Sequence, residues 1–445
     1  MMGFFLFLLV LLLCGFFGRI VYRKLDFFSG FSAKNVASCH FIDNRPLDLI
    51  ESQDNDFKVF GLASNTLFEK GKYATASVFG LQKRKAIYRE GIGATLINKD
   101  FDESRPFLVP KRVKSKPGFY PYGDVKPEEI VFTNIDYNAL NAAVANSFDI
   151  SGQKEKRTRA VVVIYKNQIL AEKYASGFDE TSKLLGWSMA KSITGALFGA
   201  LEQQGKFDID KPAPIPEWQN DGRKNITTRN LLQMNSGLEW VEDYTKICDV
   251  TRMLYQAVDM GKVQIDKPLA FQPNTHWCYS GGTTNLLSKI LRYQFKSHQE
   301  YLDFWYTNLI DKIGMNSMVL ETDMIGNYVG SSYGWATARD WGKFGLLYLN
   351  QGNWNGEQIL SPEWVKFTST PTDTSEGRYG AQFWLNAGGH FPDVPRDMYY
   401  CNGFQGQMVA IIPSKDLVIV HLGLKGEDCF DFNDFLQSVI AAVKK

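Results

Sequence analysis

Residues 188–205 constrain the fold of this chain more than any other stretch. Met189, Ile193, Ala196, Leu197, Ala200 and Leu201 form an apolar stripe at helical spacing, and Gly205 ends it. A helix with such a stripe must be covered by other elements. Its start carries two reactive side chains, in Ser188-Met-Ala-Lys191. Residues three apart stand on one helix face, with Cβ atoms roughly 5–6 Å apart, so Lys191 can reach the Ser188 hydroxyl. A serine hydroxyl is a weak nucleophile until a neighbour takes its proton. Lys191 can take it only as the neutral amine, which burial favours and the positive helix N-terminus favours further. The plainer alternative is that Ser188 only caps the helix and Lys191 lies on the surface. A second Ser-x-x-Lys, at Ser151-Gly-Gln-Lys154, sits in a polar run without apolar periodicity and reads as a solvated loop.

With 445 residues and 44% hydrophobic content, the chain can bury a large core and form more than one domain. Its 49 basic and 48 acidic side chains leave a net charge of +1, with none of the excess positive charge of a nucleic-acid surface. Cysteines at 14, 39, 248, 278, 401 and 429 form no zinc spacing, and no metal or organic cofactor is implied. An oxidising compartment would permit a disulfide without the sequence naming the pair.

Residues 1–17 carry no charged side chain, and Arg19, Arg23 and Lys24 follow as a basic flank. A cleaved signal would prefer a basic start and small residues before the cut, and both are missing. The expectation is an uncleaved membrane anchor over 1–24, slightly short unless Ile20 to Tyr22 extend it. The trailing basic residues favour a cytoplasmic C-terminal side.

Residues 25–130 read as a small β-containing lead-in, with strands near 73–79 and 85–88 and a proline-punctuated connector from Pro106 to Pro121. Residues 131–445 form the main domain. A helix at 136–148 precedes a hairpin of strands 160–165 and 168–174, and the Ser188 helix follows. Helices are expected near 227–234, 283–295, 299–312 and 337–350. Strands return at 382–385, 408–412 and 417–422, before a last helix at 432–443. This order suits an α+β domain with helices packed on an antiparallel sheet.

Four segments together resemble the serine β-lactamase and penicillin-binding-protein superfamily. The resemblance is greatest to its class C-like branch with esterases and 6-aminohexanoate-oligomer hydrolases. Gly186-Trp-Ser-Met-Ala-Lys-Ser192 is similar to the nucleophile segment, and Ile226 to Trp240 to the stretch after it. Phe271-Gln-Pro-Asn-Thr-His-Trp-Cys-Tyr-Ser-Gly281 resembles the segment bearing the catalytic tyrosine. Gly403-Phe-Gln-Gly-Gln-Met-Val-Ala-Ile-Ile-Pro413 resembles the strand bordering the active site. The resemblance covers about 130–445. It implies a β-lactamase/transpeptidase-like fold, an antiparallel sheet flanked by helices plus a mostly helical subdomain. It also implies acyl transfer through Ser188, with Lys191 and Tyr279 sharing the proton work. The oxyanion donors would be the backbone amides of Ser188 and Phe404, with Gly403 and Gly406 letting the strand approach the substrate. A hydrolase of this kind is expected outside the cytoplasm, which opposes the orientation drawn from the basic flank.

Two motifs depart from the superfamily pattern. Its Tyr-x-Asn is here Tyr279-Ser280-Gly281, and its Lys/His-Thr-Gly is Cys401-Asn402-Gly403. The cation for a β-lactam carboxylate is missing, so the expected substrate is a small-molecule or peptide-like amide or ester lacking that group. His276, beside Trp277, is a pocket-lining or a structural residue.

Two other functions compete. Gly330-Ser-Ser-Tyr-Gly334 matches the Gly-x-Ser-x-Gly elbow of α/β-hydrolases, with Ser332 as nucleophile and His390 or His421 as base. A membrane-anchored, catalytically inactive binding module of the penicillin-recognising fold is the other.

Overall fold

The computed structural model describes the backbone of residues 2–57, 61–114, 117–126 and 130–444, and the side chains in those ranges from Tyr22 onward. Two compact units divide the chain: 1–106 with 241–260 and 322–326, and the rest.

In the first unit, helix α1 (Met2–Asp43) is followed by strands β1 (Ala63–Phe68), β2 (Tyr73–Val78), β3 (Leu81–Arg89) and β4 (Gly93–Ile97). The strands pair in sequence order as an antiparallel meander. Phe27, Phe31 and Val36 of α1 are buried, and Tyr255 of helix Asp249–Gln256 meets Phe27 edge-on at 5.0 Å. Residues 25–43 look half-polar in sequence, yet their polar side chains face inward. Ser32 Oγ donates to Asn65 Oδ1 at 2.7 Å, and Asn35 Nδ2 donates to Asn55 Oδ1 at 2.8 Å. Buried polar groups survive because they bond one another. The anchor expected over 1–24 falls mainly on side chains outside the described residues. Among the described residues, no helix is long and apolar enough to cross a membrane.

The second unit is built on a six-stranded antiparallel sheet. In chain order its elements include α2 (Tyr137–Asn146), β5 (Thr158–Tyr165), β6 (Gln168–Tyr174), α3 (Ala190–Gln203), α4 (Gly281–Tyr293) and α5 (Ala338–Leu349). Strands β7 (Trp384–Leu385), β8 (Tyr399–Gly403), β9 (Gln407–Ile412) and β10 (Leu417–Gly423) follow, then α6 (Phe432–Ala441). The strand order is β7-β8-β9-β10-β5-β6, so the chain's last long strand pairs with the first, Val420 opposite Val162. Both faces of the sheet are covered, which is why β5 reads as an unbroken apolar run. Its Ala160, Val162 and Ile164 join the core with Ile193 and Leu197 of α3, whereas Val161 and Val163 join Leu140 of α2 and Leu436 of α6. Residues 107–126, grouped in sequence with the lead-in, belong to this unit. Arg112 donates to the Asp311 carboxylate at 2.6 Å and to the Met318 carbonyl at 2.7 Å, tying the connector down.

His421 sits on β10 with 1% exposure, against Thr158 Oγ1 at 3.0 Å and the Gly406 carbonyl at 2.7 Å. Burial lowers its pKa from 6.5 to about 4, partly opposed by the Gly406 carbonyl. Between those values the unfolded chain binds a proton that the folded chain refuses, so stability falls as pH drops through this window. We expect wild type to lose on the order of 2 kcal/mol between pH 7.5 and 5 through this group, and His421→Gln to lose correspondingly less. Denaturant unfolding at both pH values checks this; equal losses in the two proteins would place the acid sensitivity elsewhere.

Candidate active site

Ser188 lies in a one-turn 3-10 segment, Trp187–Met189, directly before α3. A short three-stranded sheet delivers it: Leu184–Leu185 pairs with Gly334–Ala336, and Gly186 N–H donates to the Gly334 carbonyl at 2.8 Å. The N-cap position of α3 is Met189 and has no side-chain cap bond, so Ser188 does not cap the helix. Trp187 holds the left-handed backbone region with φ 47°. A bulky residue there costs on the order of 1–3 kcal/mol and persists only where its surroundings over-determine it. Tyr333 and Phe404 supply those surroundings, with ring centroids 6.0 and 5.6 Å from Trp187.

Lys191 is 1% exposed and stands inside the unit. Its Nζ lies 3.0 Å from Ser188 Oγ, donates to the Ser331 carbonyl at 2.8 Å, and lies 4.9 Å from the Tyr279 ring centroid. Serine, lysine and tyrosine, far apart in the chain in the tyrosine's case, thus share one locus. Tyr279 is set by the helix after it. Ser280 Oγ accepts the Thr283 N–H at 2.9 Å, capping α4, so the third position of Tyr279-Ser-Gly281 is already helical and carries no amide side chain. Around Tyr279 stand Tyr379 and Trp384, at 5.9 and 5.2 Å between ring centroids, with Trp277 packed on both. Sequence reasoning named Trp277 only as a neighbour of His276 and missed Tyr379 and Trp384, which no local motif marks.

The end of β8 presses on the turn before Ser188. A Cβ on Gly403 would lie 2.2 Å from the Gly186 carbonyl oxygen, so only glycine allows this backbone approach. Gly406 has φ 83°, and a Cβ there would lie 2.2 Å from the Lys425 carbonyl oxygen, so its glycine serves the turn between β8 and β9. Phe404, between them, is half-buried against Trp187. Cys401 points into the core, and burial pushes its thiol up to about 12. It supplies neither a cation nor a thiolate.

The competing elbow is absent. Ser332 follows a loop rather than a buried parallel strand, is 2% exposed, and contacts Ser331 Oγ at 2.9 Å. His390 pairs with Glu427 at 3.1 Å, and His421 is committed to β10. The Gly330–Gly334 segment contributes a backbone carbonyl to Lys191 instead. His276 is exposed and stacks on Phe271 at 4.1 Å. No cluster of potential metal ligands occurs among the described residues.

The beta-lactamase family profile matches residues 148–425. The chain belongs to the beta-lactamase family. A 6-aminohexanoate-dimer hydrolase of Paenarthrobacter ureafaciens is 24% identical over 296 residues, 60% of this chain and 73% of that protein. Among solved structures, a Bacillus anthracis protein bearing the name of a 6-aminohexanoate-dimer hydrolase superposes with TM-score 0.58 at 22% identity, covering 76% of this chain and 89% of its own. A family VIII carboxylesterase superposes with TM-score 0.53 at 14% identity, covering 71% and 98%. Membership bears out the expected superfamily, the antiparallel α+β core and a serine hydrolase.

Replacing Gly403 by alanine forces a backbone clash that no side-chain rotation relieves. Gly403→Ala should lower the thermal midpoint by several degrees and slow fluorophosphonate labelling of the protein at least tenfold. Unchanged labelling would mean that the approach of β8 to Gly186 does not shape the site.

Proposed function

We propose that the protein hydrolyses a neutral amide or ester through an acyl-enzyme on Ser188. The observation that carries this reading is the Lys191 contact: a buried lysine nitrogen 3.0 Å from the serine oxygen and beside the tyrosine ring. In the proposed cycle, Ser188 Oγ attacks the carbonyl carbon as its proton passes to Lys191. Lys191 and Tyr279 then deliver that proton to the leaving amine or alkoxide as the scissile bond breaks. Water attacks the ester so formed, its proton returns through the same pair to Ser188, and the acid departs. The Ser188 and Phe404 backbone amides would hold the oxyanion, a role supported by the contact of β8 with the turn before Ser188.

Substrate class follows from what lines the site. The position where the superfamily resemblance expects a cation holds Cys401, turned into the core, followed by the uncharged Asn402. Tyr279, Trp384 and Trp277 offer half-buried aromatic surface next to the reacting groups. Such a wall suits an apolar or flat acyl group over an anionic one. The named amide and ester hydrolases among the relatives agree with this choice.

We further propose that residues 1–24 tether the enzyme to a membrane with the catalytic domain outside the cytoplasm. The support is the uncharged run 1–17 and its basic flank.

Intact-protein mass spectrometry after fluorophosphonate and a p-nitrophenyl ester should give one adduct, lost in Ser188→Ala and kept in Ser332→Ala. Tyr279→Phe should retain the adduct but turn over the ester at least a hundredfold more slowly. No adduct in folded wild type would favour a binding module, and loss only in Ser332→Ala would sink the Ser188 assignment. For the tether, full-length protein should stay with membranes through alkaline carbonate and leave in detergent. Complete release by carbonate would remove the anchor.

A further inference from the structure

The loop whose Ser331 carbonyl receives Lys191 is held by three hydrogen bonds on either side of that carbonyl, to groups with no part in the mechanism above. Ser331 N–H donates to Asn285 Oδ1 of α4 at 3.1 Å. The Gly330 carbonyl accepts from Thr194 Oγ1 at 3.1 Å. Those two bonds pin both polar ends of the Gly330–Ser331 peptide. The next peptide is pinned as well: its carbonyl is the one facing Lys191, and its amide, Ser332 N–H, donates to the Val329 carbonyl at 3.1 Å. Gly330 must be glycine for this approach, since a Cβ would lie 2.4 Å from Thr194 Oγ1 and 3.0 Å from the Trp305 ring. Thr194 Oγ1 also lies 3.1 Å from the Ala190 carbonyl of its own helix, so its one proton is shared between that oxygen and the Gly330 carbonyl. Thr194 is 0% and Asn285 3% exposed, so water replaces neither contact.

We propose that Thr194 and Asn285 are positioning residues, which hold the Gly330–Ser331 loop so that the Ser331 carbonyl aims the Lys191 amine at Ser188. The inference rests on the acyl-enzyme reading and deepens it. A neutral amine has one lone pair and two N–H bonds. To take the serine proton, the lone pair must point at Oγ, and the nitrogen rides on a flexible four-carbon stem. A fixed acceptor 2.8 Å away occupies one N–H and leaves the lone pair a restricted set of directions. Thr194 stands one turn along α3 from Lys191, so the same helix carries the base and one of the contacts that orient it. Misplacing a reacting group by about 1 Å can cost roughly a hundredfold in rate. Substrate binding is untouched by this arrangement, so the defect belongs in kcat.

The test compares full-length wild type, Thr194→Val, Thr194→Ser, Gly330→Ala and Ser188→Ala, with thermal unfolding as the check on folding. Thr194→Val keeps the shape and removes the hydroxyl, and Thr194→Ser restores it. We expect Thr194→Val to lower kcat for a p-nitrophenyl ester at least tenfold with KM within twofold of wild type. Fluorophosphonate labelling should slow in parallel, and Thr194→Ser should recover most of both. Gly330→Ala, which pushes the loop off Thr194, should repeat the kcat defect and keeps the question answerable if Thr194→Val does not fold. Wild-type kcat in folded Thr194→Val, a change confined to KM, or no recovery in Thr194→Ser would overturn the positioning role while leaving Ser188 as nucleophile. Labelling that survives Ser188→Ala, or never occurs in wild type, would instead sink the underlying acyl-enzyme reading.

Discussion

A lysine nitrogen buried to 1% exposure is the constraint on which this site depends. Burying an unpaired ammonium or amine is costly, so the fold must furnish it with partners. It furnishes a hydroxyl from the preceding turn, a carbonyl from a loop some 140 residues further on, and an aromatic face from the approach to α4. Each partner comes from a different part of the second unit. The helix α3 can therefore bury its polar start only when the loop at 330 and the segment at 279 are both in place.

Glycine is the device that brings backbones to the required distances. Gly403 lets β8 meet the Gly186 carbonyl, and Gly330 lets its loop meet Thr194; at both places a methyl group would lie well inside van der Waals contact. The aromatic rings then fill what the glycines leave open. Trp187, forced into a left-handed conformation, is wedged by Phe404 from the turn after β8 and Tyr333 from the loop, so the strain sits beside Ser188 and is held from both sides.

The parts of the fold carried by simple periodicity were legible in the sequence. Strands β5, β6, β9 and β10, helices α2, α3 and α5, and the last helix fall within a few residues of where apolar spacing puts them. Strand β8 was not set out as a strand, because Tyr399-Tyr-Cys-Asn-Gly403 is short and mixes aromatic with polar residues. The run from 25 to 43 was missed as helix because Ser32, Asn35 and Ser38 imitate a solvent-facing stripe while lying inside a hydrogen-bonded core. Ser188 looked like an N-cap, but the chain enters α3 through a 3-10 turn that leaves its hydroxyl to Lys191. The Gly-x-Ser-x-Gly match drew attention to the right segment for the wrong chemistry. Its contribution is a main-chain carbonyl, and main-chain acceptors leave no mark on residue identity.

That last point bears on selectivity. Where a site is built from backbone oxygens, glycine clearances and aromatic faces, the charge it offers a substrate is set by the few side chains that remain. Among those described at the site, Lys191 is already engaged by Ser188 and Ser331, and Tyr279 and Asn402, the residue before Gly403, are uncharged. Cys401 is excluded by burial, which keeps its thiol protonated across the physiological range. In the proposed acyl-enzyme cycle, an anionic substrate group drawn to Lys191 would break the contact by which Lys191 is proposed to activate Ser188. In the same proposed cycle a neutral carbonyl substrate makes no such demand, and the aromatic surface beside Tyr279 would bind its apolar portion while Lys191 keeps its contact with Ser188.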